Sequence, residues 1–157
     1  LEEGASIQLE TVQIRGVDST RRYTKVEMEA NAEAVVTERL LTHGDQFAES
    51  KMEVIMKGEG ARTQVISRSV AQDNSVQVFY PQVQGDAPCF GHVQCDSIIM
   101  DHAKVSSIPA IVASHTDAQL IHEAAIGKIA GDQLLKLMTL GLTEEEAEQK
   151  ILDGFLR

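Results

Sequence analysis

Lys51-Met52-Glu53-Val54-Ile55-Met56, Arg62-Thr63-Gln64-Val65-Ile66-Ser67-Arg68 and Ser75-Val76-Gln77-Val78-Phe79-Tyr80 follow one another along the chain. In each, apolar residues recur at nearly every second position. Successive side chains of a strand point to opposite faces, so the pattern sets one face on a core and the other toward water. Thr11-Val12-Gln13-Ile14-Arg15 repeats it, and the β texture runs from about residue 6 to residue 121. Gly16, Gly44, Gly58, Gly60, Gly85, Gly91 and Asp73-Asn74 punctuate the run, and Pro81, Pro88 and Pro109 read as breaks or edges. The helix formers between Ala30 and Leu41 compete, but Val35-Val36-Thr37 in their midst favours a strand.

The strands are many and short, and no helical pattern separates them. A doubly wound α/β fold needs a crossover helix after nearly every strand and is excluded. A sandwich, a barrel or a β-helix remains. No repeat at a fixed period is visible in the sequence itself.

The last quarter changes period. Asp132-Gln133-Leu134-Leu135-Lys136-Leu137-Met138-Thr139-Leu140-Gly141 reads as a short helix, with Asp132 as its cap and Gly141 as its left-handed end. Thr143 opens a second helix, and Glu146 three residues on completes a capping box. Leu142 and Ala147 are placed as its hydrophobic staple, Glu144, Glu145 and Glu146 complement its dipole, and Gly154 reads as its end. So short a hairpin must pack on the β body or on a partner. The chain divides at this change into residues 1–130 and residues 131–157.

Composition narrows the function. The 157 residues are 43% apolar and 24% charged, as in ordinary globular domains. Fourteen basic residues stand against 24 acidic ones, a formal charge of −10, which argues against nucleic acid and against anionic membrane as partners. Aromatic residues are 4% and Trp is absent, so a base-stacking platform is hard to build. No run approaches the roughly 18 apolar residues of a membrane span, and Leu-Glu-Glu-Gly does not open a signal peptide. Two cysteines, Cys89 and Cys95, suit a reducing, cytoplasmic setting better than a disulfide scaffold.

Catalytic signatures fail residue by residue. His122-Glu123 would need a second histidine where Ile126 stands, so it is not a zincin motif. Gly127-Lys128 would need glycine at His122 and a hydroxyl at Ile129 to form a nucleotide loop. No nucleophile elbow occurs. Cys89, His92 and Cys95 carry metal-ligand chemistry. On one strand, however, the two thiols share a face while His92 points away, and the thiols lie roughly 20 Å apart. His102, His115 and His122 are scattered. His122 stands out because Glu123 adjoins it within an apolar run, Leu120-Ile121 and Ala124-Ala125-Ile126. A helix over Asp117–Ile129 competes by composition.

Four linked stretches then resemble one family. They are Gly91-His92-Val93-Gln94-Cys95-Asp96-Ser97, Ile108-Pro109-Ala110, His122-Glu123-Ala124-Ala125-Ile126-Gly127-Lys128-Ile129 with Asp132-Gln133-Leu134, and Gly141-Leu142-Thr143-Glu144-Glu145-Glu146-Ala147 with Gly154-Phe155-Leu156. Together they resemble the SufB/SufD scaffold proteins of the SUF iron–sulfur cluster assembly system, over roughly residues 89 to 157. The resemblance implies a right-handed parallel β-helix followed by a short helical hairpin. It implies a SufC-type ATPase bound through that hairpin, with Leu134, Leu137, Met138, Leu142, Ile151 and Phe155 as its apolar contacts. It also implies pairing with a SufB/SufD-type paralogue or a second copy, and a transient iron–sulfur cluster built near that interface. The chain is then a fragment or a minimal member of the family.

By the same resemblance Cys95, His122 and Glu123 take part in cluster assembly; Cys89 and His92 have no firm match in the family and are further candidates by their ligand chemistry alone. The family's carboxylate before the histidine is Ile121 here, and a second cysteine is absent from the Ala103-Lys104-Val105 region. A β-helix would stack Cys95 near His122 on neighbouring turns, where the imidazole would favour thiolate. Movement of the ATPase would shift the paired subunits and expose the thiol. Two competing classes remain: a metal-dependent enzyme on a sandwich or barrel with His92, His102, His122 and Glu123 as ligands, and a purely structural partner of the ATPase.

Overall fold

The computed structural model describes residues 1–14 and 16–157. Arg15, the last residue of the first predicted strand, lies outside the described residues. Ten strands precede two helices: β1 (Ser6–Ile14), β2 (Ser19–Met28), β3 (Glu33–Thr42), β4 (Phe47–Met56), β5 (Arg62–Ala71), β6 (Val76–Gly85), β7 (Phe90–Ile99), β8 (Lys104–Ser107), β9 (Ala110–Ala113), β10 (Gln119–Gly127), α1 (Gly131–Thr139) and α2 (Glu144–Phe155).

The strands wind as a parallel solenoid. One sheet runs β1-β3-β5-β7-β10; the other runs β2-β4-β6 and then splits into β8 and β9. Every described strand pair is parallel. In the first sheet Ser6 lies beside Glu33, Glu33 beside Arg62, Arg62 beside Phe90 and Phe90 beside Gln119, steps of 27, 29, 28 and 29 residues. A turn of variable length needs no sequence motif, only an apolar side chain that returns to the interior. The Ala30–Leu41 competition resolves to a turn and strand β3, and the Asp117–Ile129 region to strand β10 rather than a helix.

Turns stack as the strands do. The Gly44 amide donates to the Asp73 carboxylate at 2.7 Å, and the Asp73 amide donates to that of Asp101 at 3.0 Å. Asp73 and Asp101 are left-handed, with φ of 58° and 53°, a conformation that Asp tolerates. At Gly58 a Cβ would stand 2.0 Å from the Ala30 backbone nitrogen, so the turn admits no side chain there. Pro81 is not a break: it lies within β6, and the neighbouring strand breaks instead, at Ile108-Pro109. Phe79, two residues before Pro81, accepts from the Ile108 amide at 2.8 Å. Main-chain groups alternate sides along a strand. The missing N–H of Pro81 therefore faces the gap between β8 and β9.

The interior has two halves. Ala34, Val36, Val65 and Val93 from the first sheet meet Val54 and Met56 from the second, all nearly or fully buried. Further along the first sheet the inward residues become Glu38, Ser67, Ser69, Cys95 and Ser97, facing Ser50 and Gln77. Buried polar groups require partners, and most have them. Ser69 and Ser97 hydroxyls pair at 2.8 Å, Gln77 donates to Thr42 at 2.8 Å and to the Val70 carbonyl at 2.9 Å, and Glu38 accepts from Ser50 at 2.8 Å and from Arg22.

The helices lie on the outer face of the first sheet. Leu152 is 3% exposed and packs on Leu41 and Val70, with Ile98, Phe155 and Leu156 around them. Burying such a leucine contributes about 2–3 kcal/mol. The capping box forms: the Glu146 amide donates to Thr143 Oγ1 at 3.2 Å, and the Thr143 amide to the Glu146 carboxylate at 2.9 Å. Two expectations fail here. Asp132 is not the cap of α1; Ala130 holds that place without a side-chain bond, and Asp132 lies in the first turn. Gly154 lies inside α2, which ends after Phe155, because nothing there requires a left-handed residue. Gly141, with φ of 98°, does end the first helix as read.

Candidate functional site

Strand β10 is the last of its sheet, and among the described residues no strand stacks beyond it. The register lays Val93 against His122, Gln94 against Glu123 and Cys95 against Ala124. Inward-pointing positions alternate, so Cys95, His122 and Ala124 share the interior side. Residues diagonal to each other in paired strands are within reach of long side chains. His122 makes such a contact: its Nε2 lies 3.4 Å from Cys95 Sγ. Outside the same wall, His92 Nε2 lies 3.2 Å from Glu123 Oε1.

The sequence candidates therefore divide between two faces. Cys95 and His122 meet inside the last turns; His92 and Glu123 meet outside. Cys89 is buried at the other end of β7, where its sulfur would stand 2.7 Å from a Cβ placed on Gly85. Cys89, His92 and Cys95 do not converge, nor does Glu123 join Cys95 and His122. Among the described residues no three His, Cys, Asp or Glu side chains are grouped to hold a metal ion. Strand alternation is the reason: neighbours in sequence, His122 and Glu123, must point to opposite faces.

Cys95 is 3% exposed. Burial pushes its thiol up to about 11, opposed by the Ser107 hydroxyl and reinforced by the charges of Asp96 and Glu38. The expected lowering by His122 does not appear; desolvation wins. Burial likewise raises the Cys89 thiol. Beside Cys95 lies a small void of about 20 Å³, lined by Glu38, Ser50, Ser67, Gln77 and Ser107 among others. The Gln77 carbonyl oxygen is buried there without a hydrogen-bond partner.

This polar column was not read from the sequence, although a signal existed. Glu38 occupies a core position of β3, in step with Ala34, Val36 and Leu40, and Arg22 occupies the inward set of β2. A carboxylate on the apolar phase of a strand announces a buried partner.

The apolar candidates of the tail divide too. Phe155 packs on the solenoid with Leu152, whereas no residue of α1 is buried. Met138 is 39% exposed, and Leu135 and Leu140, which the sequence reading passed over, are 62% and 77% exposed. No helix among the described residues is long and apolar enough to cross a membrane.

A sandwich or barrel enzyme is displaced by the solenoid: its histidines do not gather, and His102 sits in a corner turn with its amide on the Asp73 carbonyl. Comparison with known proteins agrees. Residues 1–155 match the family described as SUF system FeS cluster assembly, SufBD core domain. An iron–sulfur cluster assembly SufBD family protein of Methanothermobacter thermautotrophicus is 34% identical over 114 residues, 71% of this chain and 28% of that protein. One from Archaeoglobus fulgidus is 28% identical over 158 aligned positions, 99% of this chain and 42% of its own. One from Pyrococcus horikoshii is 36% identical over 119, covering 74% and 27%. The chain thus spans between about a quarter and two-fifths of the length of these relatives. With a parallel solenoid, a helical tail and a match that runs nearly end to end, the chain belongs to the SufBD core family of iron–sulfur cluster assembly proteins.

Proposed function

We propose that the chain is a scaffold on which an iron–sulfur cluster is assembled transiently, with Cys95 and His122 as the groups that receive iron or sulfur. The contact between them carries the reading: a soft thiol and an imidazole, 3.4 Å apart, at the end of the solenoid where, among the described residues, no further strand stacks. Both are iron ligands. Two ligands are too few to complete a site, so a second subunit supplies the rest. The free edge of β10 is where it docks, because the backbone groups of that edge are open to a further strand. Glu123 and His92, paired on the outer side of the same edge, border the interface. Iron and sulfide are cargo here, and the chain itself carries out no turnover. A buried thiol held near 11 is protonated at neutral pH, so an incoming iron ion must displace that proton to solvent as the S–Fe bond forms.

The helical hairpin binds the SufC-type ATPase. Its second helix is anchored on the solenoid through Leu152, while Leu135 and Met138 of the first, and Leu140 just after it, are offered to solvent.

The test is anaerobic reconstitution of the full-length protein, in complex with its pairing subunit and ATPase, with ferrous iron and sulfide. Visible absorption is expected to develop in the parent and to fall strongly in Cys95→Ser and in His122→Ala. Undiminished cluster formation in both variants would overturn the assignment. Deleting residues 132–157 is expected to abolish co-purification of the ATPase while the β body keeps its circular dichroism; retained co-purification would remove the hairpin's role.

A further inference from the structure

A thiol that is 3% exposed must still be reached. Two approaches lie near it. One crosses the wall of the second sheet at the Ile108-Pro109 gap, where a groove is lined by Tyr80, Pro81 and Met52. Met52 is 3% exposed and closes that groove from the interior. The other comes over the last turn. There the residue stacked on Cys95 is Ala124, one strand spacing away, about 4.8 Å. Ala124 is exposed, since no strand among the described residues covers it.

The size of this side chain matters twice. His122 is diagonal to Cys95, and residues so placed are about 7–8 Å apart, their Cβ atoms somewhat less. To bring Nε2 to 3.4 Å from the sulfur, its ring must lean along the strand toward the Cys95–Ala124 pair. A side chain longer than a methyl at Ala124 would crowd it. The void of about 20 Å³ beside the thiol is lined by Gln77, which is 3% exposed and whose side-chain oxygen has no partner. A cavity of that size and polarity accommodates one small hydrogen-bond donor. The thiol thus stands between a polar void on one side and the exposed Ala124 on the other, with the His122 ring against it.

We propose that Ala124 is a positioning residue for Cys95: its small side chain keeps open the approach to the thiol from the end of the solenoid and leaves room for the His122 ring. The inference rests on Cys95 being the working thiol, but its test is independent of cluster formation. The full chain is treated with iodoacetamide and with a bulkier maleimide at fixed pH, and mass spectrometry follows Cys95 and Cys89 separately. Ala124→Leu is expected to slow modification of Cys95 by about tenfold, more for the maleimide, and Ala124→Gly to speed it, with Cys89 unchanged in both. A variant that merely loosened the fold would speed both thiols, so Ala124→Val provides a second, less bulky probe of the same opening. Parent rates at Cys95 in Ala124→Leu and Ala124→Val would overturn the proposal, as would slowing produced by Ile108→Trp in place of them. If the labelling pattern holds while Cys95→Ser still assembles cluster, the functional reading falls and the access route stands.

Discussion

Cys95 Sγ and His122 Nε2 stand 3.4 Å apart although 27 residues separate them in sequence. One turn of the solenoid accounts for the distance, and a diagonal offset of two residues accounts for the contact. Proximity alone does not ionise the thiol. Withdrawal from water costs the charged form more than the neighbouring hydroxyl returns, and the thiol rises to about 11.

A thiol raised on folding makes stability depend on alkaline pH. The folded state holds the proton more tightly than the unfolded one, so the contribution is complete below pH 9 and is lost as pH rises from 9 to about 11. The loss expected for Cys95 is about 2 kcal/mol. Urea unfolding at pH 8 and pH 11, under reducing conditions, should show a smaller difference in Cys95→Ala than in the parent. Equal differences would mean that the thiol is solvated in solution.

The ion pair of Arg22 with Glu38 lies on the inward side of the first turns, with the glutamate side chain 3% exposed and the arginine 31%. Removing the cation leaves a carboxylate with only the Ser50 hydroxyl. Arg22→Met is expected to destabilise by about 3 kcal/mol, and Arg22→Met combined with Glu38→Gln by clearly less, since no buried charge is left uncompensated. Thermal melts of both variants and of Glu38→Gln form the cycle that checks this.

How much of this was legible follows from what each pattern encodes. Alternation in Lys51–Met56 and Arg62–Arg68 reports a half-buried strand and nothing about its neighbours, so it could not separate a solenoid from a sandwich. The steps of 27 to 29 residues are uneven and carry no motif, since a parallel ladder binds backbone to backbone. That is why the repeat stayed hidden and the family resemblance supplied the coil. The capping box of Thr143 and Glu146 was legible because it is local chemistry complete within four residues. Asp132 misled because a good capping residue two positions past the cap looks the same in sequence as one at the cap itself. The pairing of Cys95 with His122 followed from the coil, whereas the placement of Glu123 on the opposite face follows only once Gln119–Gly127 is a strand and not part of a helix.

The capping box offers a local test. Thr143→Ala removes the acceptor for the Glu146 amide, and such a loss costs about 1 kcal/mol. Amide exchange in the first turn of α2 should accelerate, with the exchange of β3 and β5 unchanged. Thr143→Ser should restore protection, since the hydroxyl is what the amide uses.

The anchoring of the tail is a packing question and separates from the stability of the solenoid. Leu152 meets Leu41 and Val70 on the outer face of the first sheet, while the strands beneath are held by their own ladders. Leu152→Ala takes a buried side chain from that contact at about 2–4 kcal/mol, enough to release a hairpin that is too short to persist alone. Trypsin should then cut sooner at Lys136 and Lys150, both exposed, and leave a protease-resistant body with the parent's strand signal. If cleavage stays slow, α2 is held by contacts other than this leucine. If the body is lost together with the tail, the helices are part of the solenoid's own stability, and their release cannot be the motion that an ATPase exploits.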